Sequence, residues 1–93
     1  MNARALVAWN VRRIRVERGI PQEQLAYDAG IDRSYMGRIE QQKENPTIDL
    51  LDRIATTLGI HLSELFFEPA KGATPPKTMS RGRKPARQCR NRT

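Results

Sequence analysis

Apolar residues occur along this chain in short bursts at helical spacing, separated by glycines and prolines. Val7, Val11 and Ile14 stand at i, i+4 and i+7, one face of a helix. The segment that carries them runs from about Ala3 to Arg18, with Arg12, Arg13 and Arg15 around its other sides, until Gly19 stops it. Ile20 then reads as a core plug. A second segment opens at Pro21, which suits a first-turn position, and Glu23 complements the positive end of the helix dipole. Its inner face of Leu25, Ala26 and Ala29 is narrow, so another helix can approach closely. Gly30 ends it. A linker of about three residues leads into a third helix capped by Asp32, with Ile31 as a staple ahead of the cap.

In this third segment Met36 and Ile39 point inward, while Arg33, Ser34, Gly37, Arg38 and Gln41 face away, and the helix ends near Gln42. Asn45-Pro46 breaks the chain. Thr47 caps a fourth segment, in which Ile48, Leu51, Ile54, Ala55 and Leu58 repeat at helical spacing up to Gly59. A short fifth segment, about His61 to Phe67, turns Leu62, Leu65 and Phe66 inward. There is no strand candidate of useful length. The pattern predicts an all-α fold: a compact domain of five helices over residues 1–69, followed by a segment of different composition over 70–93.

Helix two, a tight turn with glycine and helix three form a helix-turn-helix arrangement over about residues 22–41. A helix of this kind fits the major groove of B-DNA when one face packs on the domain and the other stays polar. Met36 and Ile39 supply the first face; Arg33, Ser34 and Arg38 supply the second. Glycine inside a helix costs about 1 kcal/mol relative to alanine. A missing side chain at Gly37 would let the helix sit close to the groove. The same residues also fit an ordinary solvent-exposed helix face, so the pattern leaves both readings open.

Charge changes the picture once it is divided along the chain. Residues 1–69 hold nine Lys+Arg against ten Asp+Glu, a net charge of −1, and residues 70–93 hold eight Lys+Arg and no acid. All the surplus behind the total of +7 therefore sits at the C-terminal end. That end reads either as a solvated, flexible extension or as an arm that seeks polyanions. The single cysteine, Cys89, excludes an intramolecular disulfide and a paired-cysteine metal site. One histidine, one cysteine and no clustered carboxylates offer neither a catalytic triad nor a metal centre. The expectation is no enzyme, no cofactor and no metal. No apolar run spans a membrane, and the N-terminus lacks a signal-peptide pattern, so a cytoplasmic, nucleoid-associated protein is expected.

The stretch "RRIRVERGIPQEQLAYDAGIDRSYMGRIEQQKENPTIDLLDRIATTLGIHLSELF" resembles the Cro/CI-type helix-turn-helix family, also called XRE or lambda-repressor-like. The features that match are Arg15 in "IRVERG", Gln22 in "QEQLA", Ala29-Gly30, "RSYMGRIE", Asn45-Pro46, "LLDRIATTLG" and "LSELF". They cover about residues 11–66 in register and without a gap. The resemblance implies a sequence-specific, double-stranded-DNA-binding transcriptional regulator, a repressor of bacterial or phage origin. It implies base reading by Arg33, Ser34, Tyr35, Gly37 and Arg38, Tyr35 being the position that also packs or contacts backbone. It implies backbone contacts by Gln22, Arg12, Lys43 and Asn45, and a structural ion pair between Arg15 and Glu40. Two positions depart from the family. Gln42 stands where glycine is usual, so either the residue is strained or the turn differs. His61 stands where a small N-cap is usual.

The resemblance also implies a homodimer on a pseudo-palindromic operator, with half-sites about 34–36 Å apart. Phe66, Phe67 and Trp9 are candidates for the apolar dimer patch, Phe67 being the one left exposed if Leu65 and Phe66 fill the inward face. Arg81-Gly82-Arg83-Lys84, followed by Pro85, resembles an AT-hook core, an element that places arginine in the narrow A·T minor groove. Lys84 interrupts the usual Arg-Pro step. Phosphate attraction needs no such motif: each phosphate neutralised adds about 0.9 to the salt slope. Two rival functions share the fold: an antitoxin that binds a protein toxin as well as DNA, and the controller of a restriction-modification system. A toxin-binding tail would need apolar anchors, and residues 70–93 offer only Met79.

Overall fold

In the computed structural model, which describes residues 1–70, four α-helices are followed by a short 3-10 helix, with no strand among the described residues. They are α1 (Ala3–Glu17), α2 (Gln22–Ala29), α3 (Arg33–Glu40), α4 (Ile48–Leu58) and the 3-10 helix Leu62–Phe66. The expectations for Arg81, Gly82, Arg83, Lys84 and Cys89 lie outside the described residues.

Side chains start three of the helices. Asn2 accepts from the Ala5 N–H at 2.8 Å, Asp32 from the Tyr35 N–H at 3.1 Å and Thr47 from the Leu50 N–H at 3.1 Å. Each satisfies an amide that the helix itself leaves without a partner. Pro21 takes the cap position of α2 rather than its first turn, and His61 at the head of the 3-10 helix makes no side-chain cap bond.

The helix ends share one device. A residue with positive φ follows the helix, and the next amide reaches back five positions. Ile20 N–H donates to the Arg15 carbonyl at 2.9 Å, Ile31 to Ala26 at 2.8 Å and Ile60 to Ala55 at 3.0 Å. Gly19, Gly30 and Gly59 supply the positive φ, 66°, 70° and 70°, and each isoleucine after them folds back onto the core. The recurring Gly-Ile pair thus stops a helix and seals its end with an apolar plug.

The end of α3 uses the same bond with different residues. Lys43 N–H donates to the Arg38 carbonyl at 2.8 Å, and the left-handed position is Gln42, at φ 65°. Lys43 is exposed, so the chain here stays on the surface instead of diving inward. The turn therefore keeps its usual shape, and the departure from glycine is absorbed as strain at Gln42. Gln42→Gly is expected to stabilise the domain by about 1 kcal/mol, since a non-glycine residue in this region costs about 1–2 kcal/mol. Thermal unfolding should move up by about 4–8 °C. An unchanged or lowered midpoint would contradict the strain.

The core runs through all five elements. Val11, Leu25, Met36, Ile39, Ile54 and Leu65 are its largest fully or almost fully buried side chains. α3 packs on α1 and α2, α4 packs on α2 and on the 3-10 helix, and the 3-10 helix packs back on α1. A buried amide reinforces that last junction. The Asn10 side chain, with no exposed surface, shares its two amide N–H groups among the carbonyls of Leu6 (3.0 Å), Leu65 (3.1 Å) and Phe67 (2.8 Å). Its oxygen accepts from the Arg13 Nη2 at 3.0 Å, and the Arg13 guanidinium lies over the Phe67 ring at 5.7 Å.

Three expectations change. The fifth helix is a single 3-10 segment, in which i and i+3 share a face because there are three residues per turn. Leu62 and Leu65 therefore point the same way, and Phe66, expected inward, rotates off that face to 36% exposure. Ile48 continues the α4 stripe by spacing, yet it is 62% exposed. It is the first residue of α4, and with Phe66 it stands on the lip of a cleft floored by Val7, Ile39 and Leu51.

Candidate nucleic-acid interface

α2 and α3 meet across the three residues Gly30, Ile31 and Asp32. Gly30, at φ 70°, makes the sharp exit from α2 that an L side chain would resist. Arg53 of α4 donates to its carbonyl at 3.3 Å, which ties the turn to the next helix. α3 is thereby held at both ends, by the Asp32 cap at one and the Gln42 turn at the other.

Met36 and Ile39 anchor the inner face, exposed by 0% and 2%. Arg33, Ser34 and Arg38 are exposed on the outer face, and Gln41 follows them. Tyr35 is half-buried against the core, and its ring lies 5.7 Å from the Arg38 guanidinium carbon. Both arginines meet carboxylates. Arg33 Nε stands 3.6 Å from a Glu23 oxygen, an exposed pair, and Arg38 Nε donates to Glu44 at 2.6 Å.

Gly37 lies beside Gln22. A Cβ at Gly37 would stand 3.6 Å from the Gln22 Oε1, an ordinary contact. Packing within the protein therefore does not demand glycine there. The Gln22 Nε2 donates to Glu40 at 3.1 Å, leaving the second N–H of its amide for another acceptor.

Beneath these residues lies the Arg15–Glu40 ion pair. Arg15 Nε meets one Glu40 oxygen at 2.7 Å and Nη2 meets the other at 2.9 Å, with side-chain exposures of 3% and 2%. The remaining Nη1 donates to the Ile20 carbonyl at 2.9 Å. One guanidinium thus joins α1, the end of the α1–α2 turn and the last residue of α3. Its fork matches the carboxylate geometry, which favours arginine over lysine at this position.

Lys43 and Asn45 are exposed in the segment after α3. Arg12 belongs to α1 and is half-buried. So the structure brings Gln22, Arg33, Ser34, Tyr35, Gly37 and Arg38 onto the paired helices, with Lys43 and Asn45 at the exit, and leaves Arg12 on a different element. Sequence reasoning missed Glu23 and Glu44 as partners of the outer arginines. Glu44 lies in a loop, where no periodicity marks which side chain it faces. Among the described residues, no helix is long and apolar enough to cross a membrane, and no cluster of His, Cys, Asp or Glu could hold a metal ion.

Comparison with known proteins places this geometry in a family. The helix-turn-helix family model HTH_3 matches residues 11–65. The chain is 35% identical over 66 residues to a hypothetical transcription factor of Neisseria meningitidis, covering 71% of this chain and 62% of that protein. It is 39% identical over 62 residues to the immunity repressor of Bacillus phage phi105, covering 67% of this chain and 43% of the repressor. It superposes with a TM-score of 0.65 and 33% identity on the restriction-modification controller protein C.Esp1396I, solved as a tetramer in complex with its natural 35 base-pair operator; 71% of this chain and 87% of that one are covered. The chain belongs to the XRE-type helix-turn-helix family. It spans about half the length of the two curated relatives.

Proposed function

We propose that this chain is a sequence-specific transcriptional regulator that binds double-stranded DNA by inserting α3 into the major groove. The observation that carries the reading is the construction of α3: Met36 and Ile39 lock it to the core while Arg33, Ser34 and Arg38 stand exposed. Arginine presents a donor fork that matches guanine O6 and N7, so Arg33 and Arg38 are assigned to guanines, with Ser34 and Tyr35 reading neighbouring edges. Gln22, Lys43, Asn45 and Arg12 are assigned to phosphates that fix the register. The basic segment 70–93 adds sequence-independent attraction, with Arg81, Gly82, Arg83 and Lys84 as its minor-groove candidates. Regulation by occupying an operator, as a repressor acting in the cytoplasm, is consistent with the similarity to a phage immunity repressor. No catalytic step is assigned.

A homodimer on a two-fold operator completes the proposal. The apolar patch that supports it differs from the expected one. Phe67 is 58% exposed, as expected, and Phe66 is exposed too, whereas Trp9 is half-buried; Ile48, with Phe66 on the lip of the cleft, takes the place of Trp9 among the candidates. The likeness to C.Esp1396I supports a second reading of the same chemistry, a restriction-modification controller, which differs in the promoter served and not in how DNA is read.

Selection of bound sites from random duplexes tests the function. Recovery of a two-fold symmetric motif is expected; recovery of no preferred sequence at low ionic strength would sink the reading. Gly37→Ala offers a sharper check because two effects have opposite sign. The added methyl raises helix propensity by about 1 kcal/mol and meets no obstacle in the protein. Thermal stability should therefore rise while affinity for the selected site falls. If both rise together, the close approach of α3 to DNA at Gly37 is wrong.

A further inference from the structure

Glu44 has no part in the roles assigned so far, yet it makes the shortest contact to the outer face of α3. Its Oε2 accepts from Arg38 Nε at 2.6 Å, and its side chain is only 26% exposed while that of Arg38 is 45% exposed. The backbone explains how a loop residue comes to lie there. The Lys43 N–H is bonded to the Arg38 carbonyl at 2.8 Å, and Gln42 takes the left-handed conformation needed to close that turn. The chain is thus folded back on residue 38 itself, which brings residue 44 beside the side chain of Arg38.

A guanidinium can address guanine in two ways: through Nε and one Nη, or end-on through both Nη groups. The Glu44 carboxylate occupies Nε, and the Tyr35 ring lies 5.7 Å from the guanidinium carbon. What remains is the outer edge. The neighbouring carboxylate also offsets the charge of Arg38, which weakens its attraction to any phosphate while leaving two directed donors. We infer that Glu44 is a specificity-determining positioning residue: it holds Arg38 for end-on reading of a guanine and disfavours its diversion to the DNA backbone. This inference rests on the DNA-binding reading above. The signal is local, because Arg33 has only the exposed 3.6 Å contact to Glu23 and gains no comparable constraint.

The test uses the full chain and the duplex recovered by site selection, with a panel in which each base pair is replaced in turn. Glu44→Ala, which removes the acceptor, is expected to lower the preference for guanine at the base pair read by Arg38 by about tenfold. Preferences elsewhere should stay within about twofold, and binding to unrelated duplex should rise. In an Arg38→Ala background the same substitution should leave the preference at every base pair unchanged, an outcome a merely structural role would not produce. In the free protein, the Arg38 Nε–H signal in nitrogen-edited NMR should be protected from exchange and lose that protection in Glu44→Ala, which leaves no side-chain acceptor. If discrimination falls evenly at all base pairs, if it falls equally without Arg38, or if it does not change, the inference fails while the function stands. A parent chain that selects no sequence overturns both.

Discussion

Glu40→Ala is expected to lower the stability of the domain by about 3–5 kcal/mol, the range for removing one partner of a buried ion pair. The Arg15 guanidinium would keep its bond to the Ile20 carbonyl and lose both bonds to the carboxylate, with almost no solvent to replace them. Gln22 would lose the acceptor of its Nε2 as well. Against a total of about 5–15 kcal/mol for a small domain, the loss is large enough to populate unfolded chain on modest warming. Urea denaturation measures it. A control lies on α1, where Arg13 and Glu17 are 3.6 Å apart with side-chain exposures of 26% and 62%; Glu17→Ala should change stability by no more than about 1 kcal/mol. Replacing Arg15 by methionine together with Glu40 by leucine should recover much of the loss, because no charge is then left buried alone. If Glu40→Ala and Glu17→Ala have similar effects, the pair between α1 and α3 is not the anchor described here.

The parts of this architecture that were legible in the sequence are the ones set by neighbours along the chain. The spacing of Val7, Val11 and Ile14, the caps at Asp32 and Thr47, and the stops at Gly19, Gly30 and Gly59 all act within a turn or two, so periodicity and residue type expose them. The misread positions depend on contacts between distant segments or on helix type. Asn10 drew no role from the sequence, because two of its three carbonyl partners, Leu65 and Phe67, come 55 and 57 residues later. An α-helical turn would bring Phe66 inward with Leu62 and Leu65, and a 3-10 turn rotates it away. Ile48 obeys the α4 spacing but precedes the first position that other elements cover. At the candidate interface, the outward residues of α3 followed from the inward pair Met36 and Ile39. The carboxylates that meet Arg33 and Arg38 did not, since Glu23 belongs to another helix and Glu44 to a loop.

Arg38→Ala and Arg33→Ala should each remove preference at one base pair of the selected site, by about 1–3 kcal/mol, or roughly 5–150-fold. The two losses should fall at different base pairs and add, because the side chains stand five positions apart and pair with different carboxylates. Stability should hardly move. Both guanidiniums project from the domain, and exposed ion pairs contribute about 0–1 kcal/mol. Lys43→Ala supplies the contrast. Lys43 lies past the helix end on the surface, so its loss should weaken binding to matched and mismatched duplexes alike and reduce the salt slope by about 0.9. A competition titration against duplexes altered at single base pairs separates the two patterns. Arginine variants that weaken every duplex evenly, with a matching drop in salt slope, would mean that these side chains meet phosphates. α3 would then be a positioning element, and the base-reading residues would have to be sought elsewhere in the chain.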